Sequence, residues 1–118
     1  KNTYEINQKL SYLQNELKTV SKFAFSPSLK ERKEELSLLL NQPNIWNTSP
    51  NEAKKYSQEL NEIDYKINQY DILLSLLNDI IELKDEEEFF DIIEDEINTY
   101  ENQYNEFYKK LFLKRREK

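Results

Sequence analysis

The richest chemical feature of this 118-residue chain is an acidic run. Positions 85–96 hold eight carboxylates, Asp85, Glu86, Glu87, Glu88, Asp91, Glu94, Asp95 and Glu96, and no base. Such a run can gather a cation, present an acidic docking tip, or simply solvate a first helical turn whose dipole favours negative charge. An EF-hand type Ca²⁺ loop needs Gly at its sharp turn and ligands at alternating positions, and neither is present, so no metal is expected. Asp85, Glu86, Glu87 and Glu88 are the candidate docking tip, because charge concentrated at one end of a rod can steer association. The opposite feature closes the chain. Lys109, Lys110, Lys114, Arg115 and Arg116, with Lys118 against Glu117, form a candidate basic patch that could touch phosphates, or a dipole-favoured helix end. Phosphate contact alone would position the rod without reading sequence, so sequence-specific nucleic-acid binding is not expected. Trp46, the single Trp, could stack on a ligand but reads better as a structural anchor whose burial contributes on the order of 3–5 kcal/mol.

What the chain lacks narrows its chemistry further. It contains no Gly, Cys, His or Met. Disulfides, Cys/His metal sites, His bases and Cys nucleophiles are therefore excluded, as are Gly-rich phosphate loops. Ser, Lys and Asp occur, but none sits in a strained turn or beside a base, so neither catalytic residues nor cofactors are expected. With Lys+Arg 17 against Asp+Glu 23 the net charge is −6, which gives no bulk attraction to nucleic acid. Outside the acidic run the remaining 15 acidic residues face 17 basic ones, so the negative charge is localised. The longest apolar runs are three residues, too short for a membrane span or a secretory core. A chain opening on Lys1 reads as processed or as cut from a longer protein.

These side chains must be positioned by helices. Ordinary usage is about 7% Gly, and tight hairpin turns rely on it, so a Gly-free chain is not a many-turned β protein. A mean hydropathy of −0.93 raises the question of disorder, and periodicity answers it. Ala53, Tyr56, Leu60, Ile63, Ile67, Tyr70, Leu74, Leu77 and Ile81 alternate spacings of 3 and 4, the seam of a packed helix. Ser49-Pro50-Asn51-Glu52 reads as its capping box, and a helix over Pro50–Leu83 spans about 50 Å. Phe90, Ile93, Ile97, Tyr100, Tyr104, Phe107 and Leu111 form a second seam, with Asp85 as N-cap and Glu88 three residues on. The short connection over 83–85 makes these two helices antiparallel neighbours. Earlier, Ile6, Leu10, Leu13, Leu17 and Val20 mark a first helix, with Asn2 and Glu5 offering a cap. The stretch 23–27 breaks it. Ser28-Leu29-Lys30-Glu31 then reads as a capping box for a short helix to Leu40 with Leu29, Leu36, Leu39 and Leu40 inward. Asn41-Gln42-Pro43 stops that helix, with Asn tolerating the left-handed conformation Gly would otherwise take. Of the eight Tyr, Tyr56, Tyr70, Tyr100 and Tyr104 lie on seams, where packing with a wet hydroxyl is expected, and Tyr4, Tyr12, Tyr65 and Tyr108 lie off them.

The expected fold is all-α: one domain over 1–118, an elongated antiparallel bundle of three to four helices ending in a long coiled-coil-like hairpin. No repeat, domain boundary or low-complexity linker interrupts it.

Several segments in order resemble one family. Gln42-Pro43-Asn44-Ile45-Trp46-Asn47 between two helices is similar to the Pro-x-x-Trp connection in the N-terminal domain of bacterial-type peptide chain release factor two. Leu29-Lys30-Glu31-Arg32-Lys33-Glu34-Glu35-Leu36 fits the helix before that link, and Lys84-Asp85-Glu86-Glu87-Glu88-Phe89-Phe90 resembles the family's acidic start of its last helix. Glu106-Phe107-Tyr108-Lys109-Lys110-Leu111-Phe112 resembles its basic-aromatic exit. The resemblance covers essentially the whole chain, and Trp46 favours the type-two over the type-one factor.

The resemblance implies a function lent by a larger protein. In the family, a full-length factor enters the ribosomal A site, reads UGA and UAA with a Ser-Pro-Phe tripeptide in its second domain, and promotes peptidyl-tRNA hydrolysis with a Gly-Gly-Gln loop in its third. A Gly-free chain cannot contain that loop, and Ser26-Pro27-Ser28 lacks the Phe and lies in the wrong domain. What the resemblance leaves is a non-catalytic helical arm whose partner is the stalk base of the large ribosomal subunit, with a link to the recycling GTPase release factor. The short bend over 83–85 favours a partner within the same chain and so a monomer, and a composition rich in Asn, Lys, Ile and Tyr suits a bacterial cytoplasm or a plastid-like organelle equally. The alternative is a stand-alone coiled-coil scaffold or adaptor, because heptads do not say whether their partner is in the same chain.

Overall fold

A computed structural model of the chain describes residues 3–112. The described residues form five α-helices: α1 (Thr3–Ala24), α2 (Pro27–Leu40), α3 (Ile45–Thr48), α4 (Pro50–Leu83) and α5 (Phe90–Phe112), with a single 3₁₀ turn at Glu87–Phe89. Among them there is no strand, and no helix is long and apolar enough to cross a membrane. The principal extents of 62 × 29 × 22 Å describe a rod.

Proline sets two of the helix starts. Ser26 is extended (φ −76, ψ 163), as expected of a residue whose helical conformation would clash with the following Pro27 ring. Pro27 then occupies the first turn, where its missing N–H has no intrahelical partner to lose. Helix α2 therefore begins before Ser28, and the expected Ser28–Glu31 capping box does not form; Ser26 Oγ and Ser28 Oγ lie 2.9 Å apart instead. Pro50 starts α4 the same way, and Ser49 makes no side-chain cap bond. The Asp85–Glu88 box is also absent, because Glu86 leads into the 3₁₀ turn and α5 opens only at Phe90. Asn2 lies outside the described residues.

The left-handed residue is Asn44 (φ 66), not Asn41, which is right-handed at φ −90. Asn41 closes α2 by donating its N–H to Ser37 and Leu38 carbonyls. Pro43 ends any continuation, and Asn44 then turns the chain into α3, Asn being the best-tolerated left-handed residue where Gly is missing.

Helix α4 is the spine, packing against all four other helices. Helix α1 lies beside its C-terminal half, α2 and α3 beside its N-terminal half, and α5 folds back antiparallel from the bend, so that Lys110 reaches Tyr65. The main core joins Ile6, Leu10, Leu13, Leu17 and Val20 of α1, Leu73, Leu77 and Ile80 of α4, and Ile93, Ile97, Tyr100, Tyr104 and Phe107 of α5. The α1 and α5 seams are thus as the spacing predicts. The α4 seam holds at Ala53, Ile63 and Leu77 and departs at two positions: Leu73 (1% exposed) is buried in place of Leu74 (38% exposed), and Ile80 in place of the half-buried Ile81. The reason is a change of partner. Ala53, Ile63 and Leu73 are buried at steps of ten residues, each step turning the buried face by about 80° at 100° per residue. The helix first faces α2 and α3, then α1 and α5.

Helix α2 is held by a smaller arrangement. Leu36 and Ile45 are buried, as are Ala53 and Ile63 on α4, outside the main core. Arg32 donates Nε and Nη2 to Glu59 Oε2 and Oε1 at 2.8 Å each, and Lys33 pairs with Asp64 at 2.9 Å.

Candidate functional site

The acidic bend is built outward from an apolar pin. Ile81, Leu83, Phe89 and Phe90 are half-buried against the main core, which fixes both helix ends. Backbone bonds close the turn: Glu86 N–H donates to the Leu83 carbonyl at 3.2 Å and Phe89 N–H to the Glu86 carbonyl at 2.9 Å. With the apolar residues turned inward, Asp85, Glu86, Glu87 and Glu88 are all exposed. Among the described residues Asp85 pairs with the neighbouring Lys84, at 3.3 Å with its own side chain 74% exposed. Water and salt screen such a pair, so the tip keeps most of its negative field. Asp91 and Asp95 extend the exposed charge along α5. Among the described residues no group of three or more acidic side chains converges as a metal ion requires. What this arrangement can do is attract and orient a positively charged surface.

The basic patch is placed in part. Lys109 and Lys110 are exposed in the last turn of α5. Lys109 Nζ lies 3.9 Å from Glu106, and Lys110 Nζ sits 5.0 Å from the Tyr65 ring centroid, a cation–π contact. Lys114, Arg115 and Arg116 lie outside the described residues. The tip and the two lysines occupy opposite ends of α5, about 30 Å apart at 1.5 Å per residue.

Trp46 is not the anchor its loop position suggested. It is 54% exposed, whereas Ile45 beside it is buried at 7%. The two residues share a single helical turn, where successive side chains point about 100° apart, so only one can face α4. Ile45 takes that place and Trp46 looks outward.

The tyrosines also divide differently from expectation. Tyr4, Tyr12, Tyr65 and Tyr108 are exposed as predicted. Tyr100, however, is fully buried, and among the described residues its hydroxyl finds no hydrogen-bond partner. Burial pushes its phenol well above the ordinary range, and Tyr104 up to about 12 for the same reason. The spacing of Tyr104, Tyr108 and Phe112, each four apart, was the available signal for a row of rings on one side of α5, and the structure shows that row: Tyr104–Tyr108 centroids are 6.1 Å apart and Tyr108–Phe112 4.6 Å. The α2–α4 ion pairs are the other feature that periodicity does not reveal.

No model of a known protein family matches the chain, and no solved structure matches it. A curated relative does. In an alignment 117 positions long that covers 93% of this chain, it is 32% identical to the peptide chain release factor 2 of Acholeplasma laidlawii (strain PG-8A). The chain spans 31% of that relative's length. In sequence, then, this chain corresponds along nearly its whole length to a fragment of a peptide chain release factor 2, the family that its Pro-x-x-Trp link and acidic bend resemble.

Proposed function

We propose that the chain is the ribosome-docking helical arm of a peptide chain release factor acting in translation termination at UGA and UAA codons. The observation that carries this reading is the match to a release factor 2 across nearly the whole chain, in a protein about three times its length. The arm itself is non-catalytic: with no Gly it supplies no hydrolytic loop, and Ser26-Pro27-Ser28, which forms the start of α2 and lacks the Phe, supplies no codon-reading tripeptide. It works by rigid docking. The main core stiffens the α4–α5 hairpin, and the exposed Asp85, Glu86, Glu87 and Glu88 meet the stalk base of the large subunit through salt-sensitive contacts. A link to the recycling GTPase release factor, a monomeric state and a cytoplasmic or organellar setting accompany this reading.

The test is cosedimentation of the 118-residue chain with large ribosomal subunits. Binding at low salt is expected, weakened at least tenfold by the combined Glu86→Lys, Glu87→Lys and Glu88→Lys changes with unchanged melting. Unaltered affinity in that variant removes the tip from the contact surface. Absence of any cosedimentation at low salt overturns docking by this arm.

A further inference from the structure

Between α1 and α5 runs an open groove of about 540 Å³ with an unusual lining. Tyr104, Tyr108 and Phe112 form one wall, Tyr12 and Phe23 stand on the other side, and Glu16 lies between them. The rings are set against one another. Tyr104 to Tyr108 and Tyr108 to Phe112 follow as a ladder, and Phe23 meets Phe112 edge-on at 6.5 Å. The main core uses Tyr104, but the bundle does not bury the others: Tyr12, Phe23, Tyr108 and Phe112 are all exposed. Isolated exposed apolar residues need no explanation, whereas a contiguous set of rings marks a contact surface.

Glu16 tells what would cover it. Its side chain is half-buried among the rings, accepts a long 3.4 Å hydrogen bond from the Tyr12 hydroxyl, and is close enough to Tyr100 and Tyr104 to disfavour their ionised forms. Among the described residues no basic side chain pairs with it. A half-buried carboxylate beside ring faces, each face carrying negative quadrupole potential, is complementary to a cation with flat, weakly hydrated surfaces. A guanidinium satisfies both parts: its plane stacks on a tyrosine ring while its fork of N–H donors reaches a carboxylate.

We infer that the α1–α5 groove is a docking site for an arginine side chain presented by a basic segment of a protein partner, held between the Tyr108 and Tyr12 rings and the Glu16 carboxylate. The site stands apart from the acidic bend, since Glu16 and Tyr108 lie toward the other end of α5. It rests on the groove alone and not on the release-factor reading.

The probe is a short Ser/Arg peptide with a single central arginine, and its counterpart carrying citrulline, which keeps the shape and loses the charge. Ring resonances of the full 118-residue chain are followed by NMR. The arginine peptide is expected to shift Tyr12, Tyr104, Tyr108 and Phe112 saturably, and the citrulline peptide to bind at least tenfold more weakly. Glu16→Gln and Tyr108→Leu should each reduce affinity about threefold or more, the scale of one cation–π or charge-assisted contact. Both replacements sit at partly or largely exposed positions, so the fold is retained. Reversing Glu86, Glu87 and Glu88 should leave the groove shifts unchanged. The inference fails if the rings do not respond, if citrulline binds equally well, or if a single-stranded RNA oligonucleotide displaces the peptide's shifts as the better ligand. It also fails if tip reversal abolishes binding while Glu16→Gln does not.

Discussion

At the scale of single residues, the molecule separates position in sequence from burial. Ile45 and Trp46 are adjacent, and the smaller of the two is the one that packs. Ile45→Ala is expected to cost about 2–5 kcal/mol, the range for truncating a buried Ile, and Trp46→Ala about 1 kcal/mol or less. Urea denaturation of the two variants checks this, and a larger loss for Trp46→Ala would return the anchor role to the Trp. Tyr100 makes the complementary case. Its ring fills the main core, yet its hydroxyl was desolvated without gaining a partner among the described residues, a loss of about 1 kcal/mol or more on the scale of unsatisfied polar groups. Tyr100→Phe keeps the ring and removes the orphan, so it should leave the protein as stable or up to about 1 kcal/mol more stable. The same burial gives a pH dependence. Tyr104 in the folded chain is pushed up to about 12 and Tyr100 moves in the same direction, against an ordinary value of 10.0. Below pH 10 neither state ionises and stability is unaffected. Above it the unfolded chain loses its phenolic protons first, so stability falls with rising pH until the folded groups also titrate. Melting followed from pH 8 to 12 should show that decline, and the Tyr100→Phe, Tyr104→Phe double variant should flatten it. Neither the exposure of Trp46 nor the orphan hydroxyl was legible in the sequence, because both depend on which side of a turn or ring meets a neighbour.

At the scale of elements, legibility follows constancy of partner. Helices α1 and α5 sit in the same core along their buried lengths, so Ile6 to Val20 and Ile93 to Phe107 keep the simple alternation that the spacing predicts. Helix α4 exchanges α2 and α3 for α1 and α5 along its length, and its stripe turns past Tyr70 accordingly. Its start, by contrast, could be read closely, since Pro50 fixes it by chain stereochemistry alone, whereas at α2 the same rule at Pro27 displaced the capping box expected at Ser28. The acidic bend could be placed from sequence, while the aromatic groove could not, because it needs α1 and α5 side by side. The same division gives the elements different strengths. The α1–α4–α5 core is broad, whereas α2 is held by Leu36 and by paired charges, Arg32 with Glu59 and Lys33 with Asp64. Hydrogen bonding to Arg32 holds the Glu59 carboxyl below its ordinary range. That contribution is present above the ordinary carboxylate range and is lost as pH falls through the lowered value. Both charge pairs are solvent-exposed enough for salt to weaken them. Amide hydrogen exchange should therefore find α2 opening before α1 and α5, with the gap widening in 0.5 M NaCl and in Arg32→Met. Uniform protection across all the long helices under these conditions would show that α2 is part of one cooperative unit.

At the scale of the whole molecule, the decisive property is that the seams are closed within one chain. A compact domain of this length would have a radius of gyration of about 13–14 Å; the Cα atoms here give 18.9 Å. Elongation of this kind is common to two very different objects, an arm that stands out from a larger protein and a coiled coil that waits for another chain. The core distinguishes them. A scaffold that pairs between chains leaves its a and d positions open on one face of each helix, whereas Leu10, Leu13, Leu17, Leu77, Ile93, Tyr100 and Phe107 are already buried against one another. The apolar rings left outside, on the α1–α5 groove, form a local slot and not a continuous heptad stripe. Small-angle scattering with in-line mass measurement should then return the monomer mass of 14.4 kDa and a rod-like profile with a radius of gyration near the Cα value of 18.9 Å, constant over a concentration series. A doubled mass at micromolar concentration would favour the scaffold. Because burial of an intermolecular seam strengthens with concentration while an internal one does not, a melting temperature independent of protein concentration is the second arm of the same test.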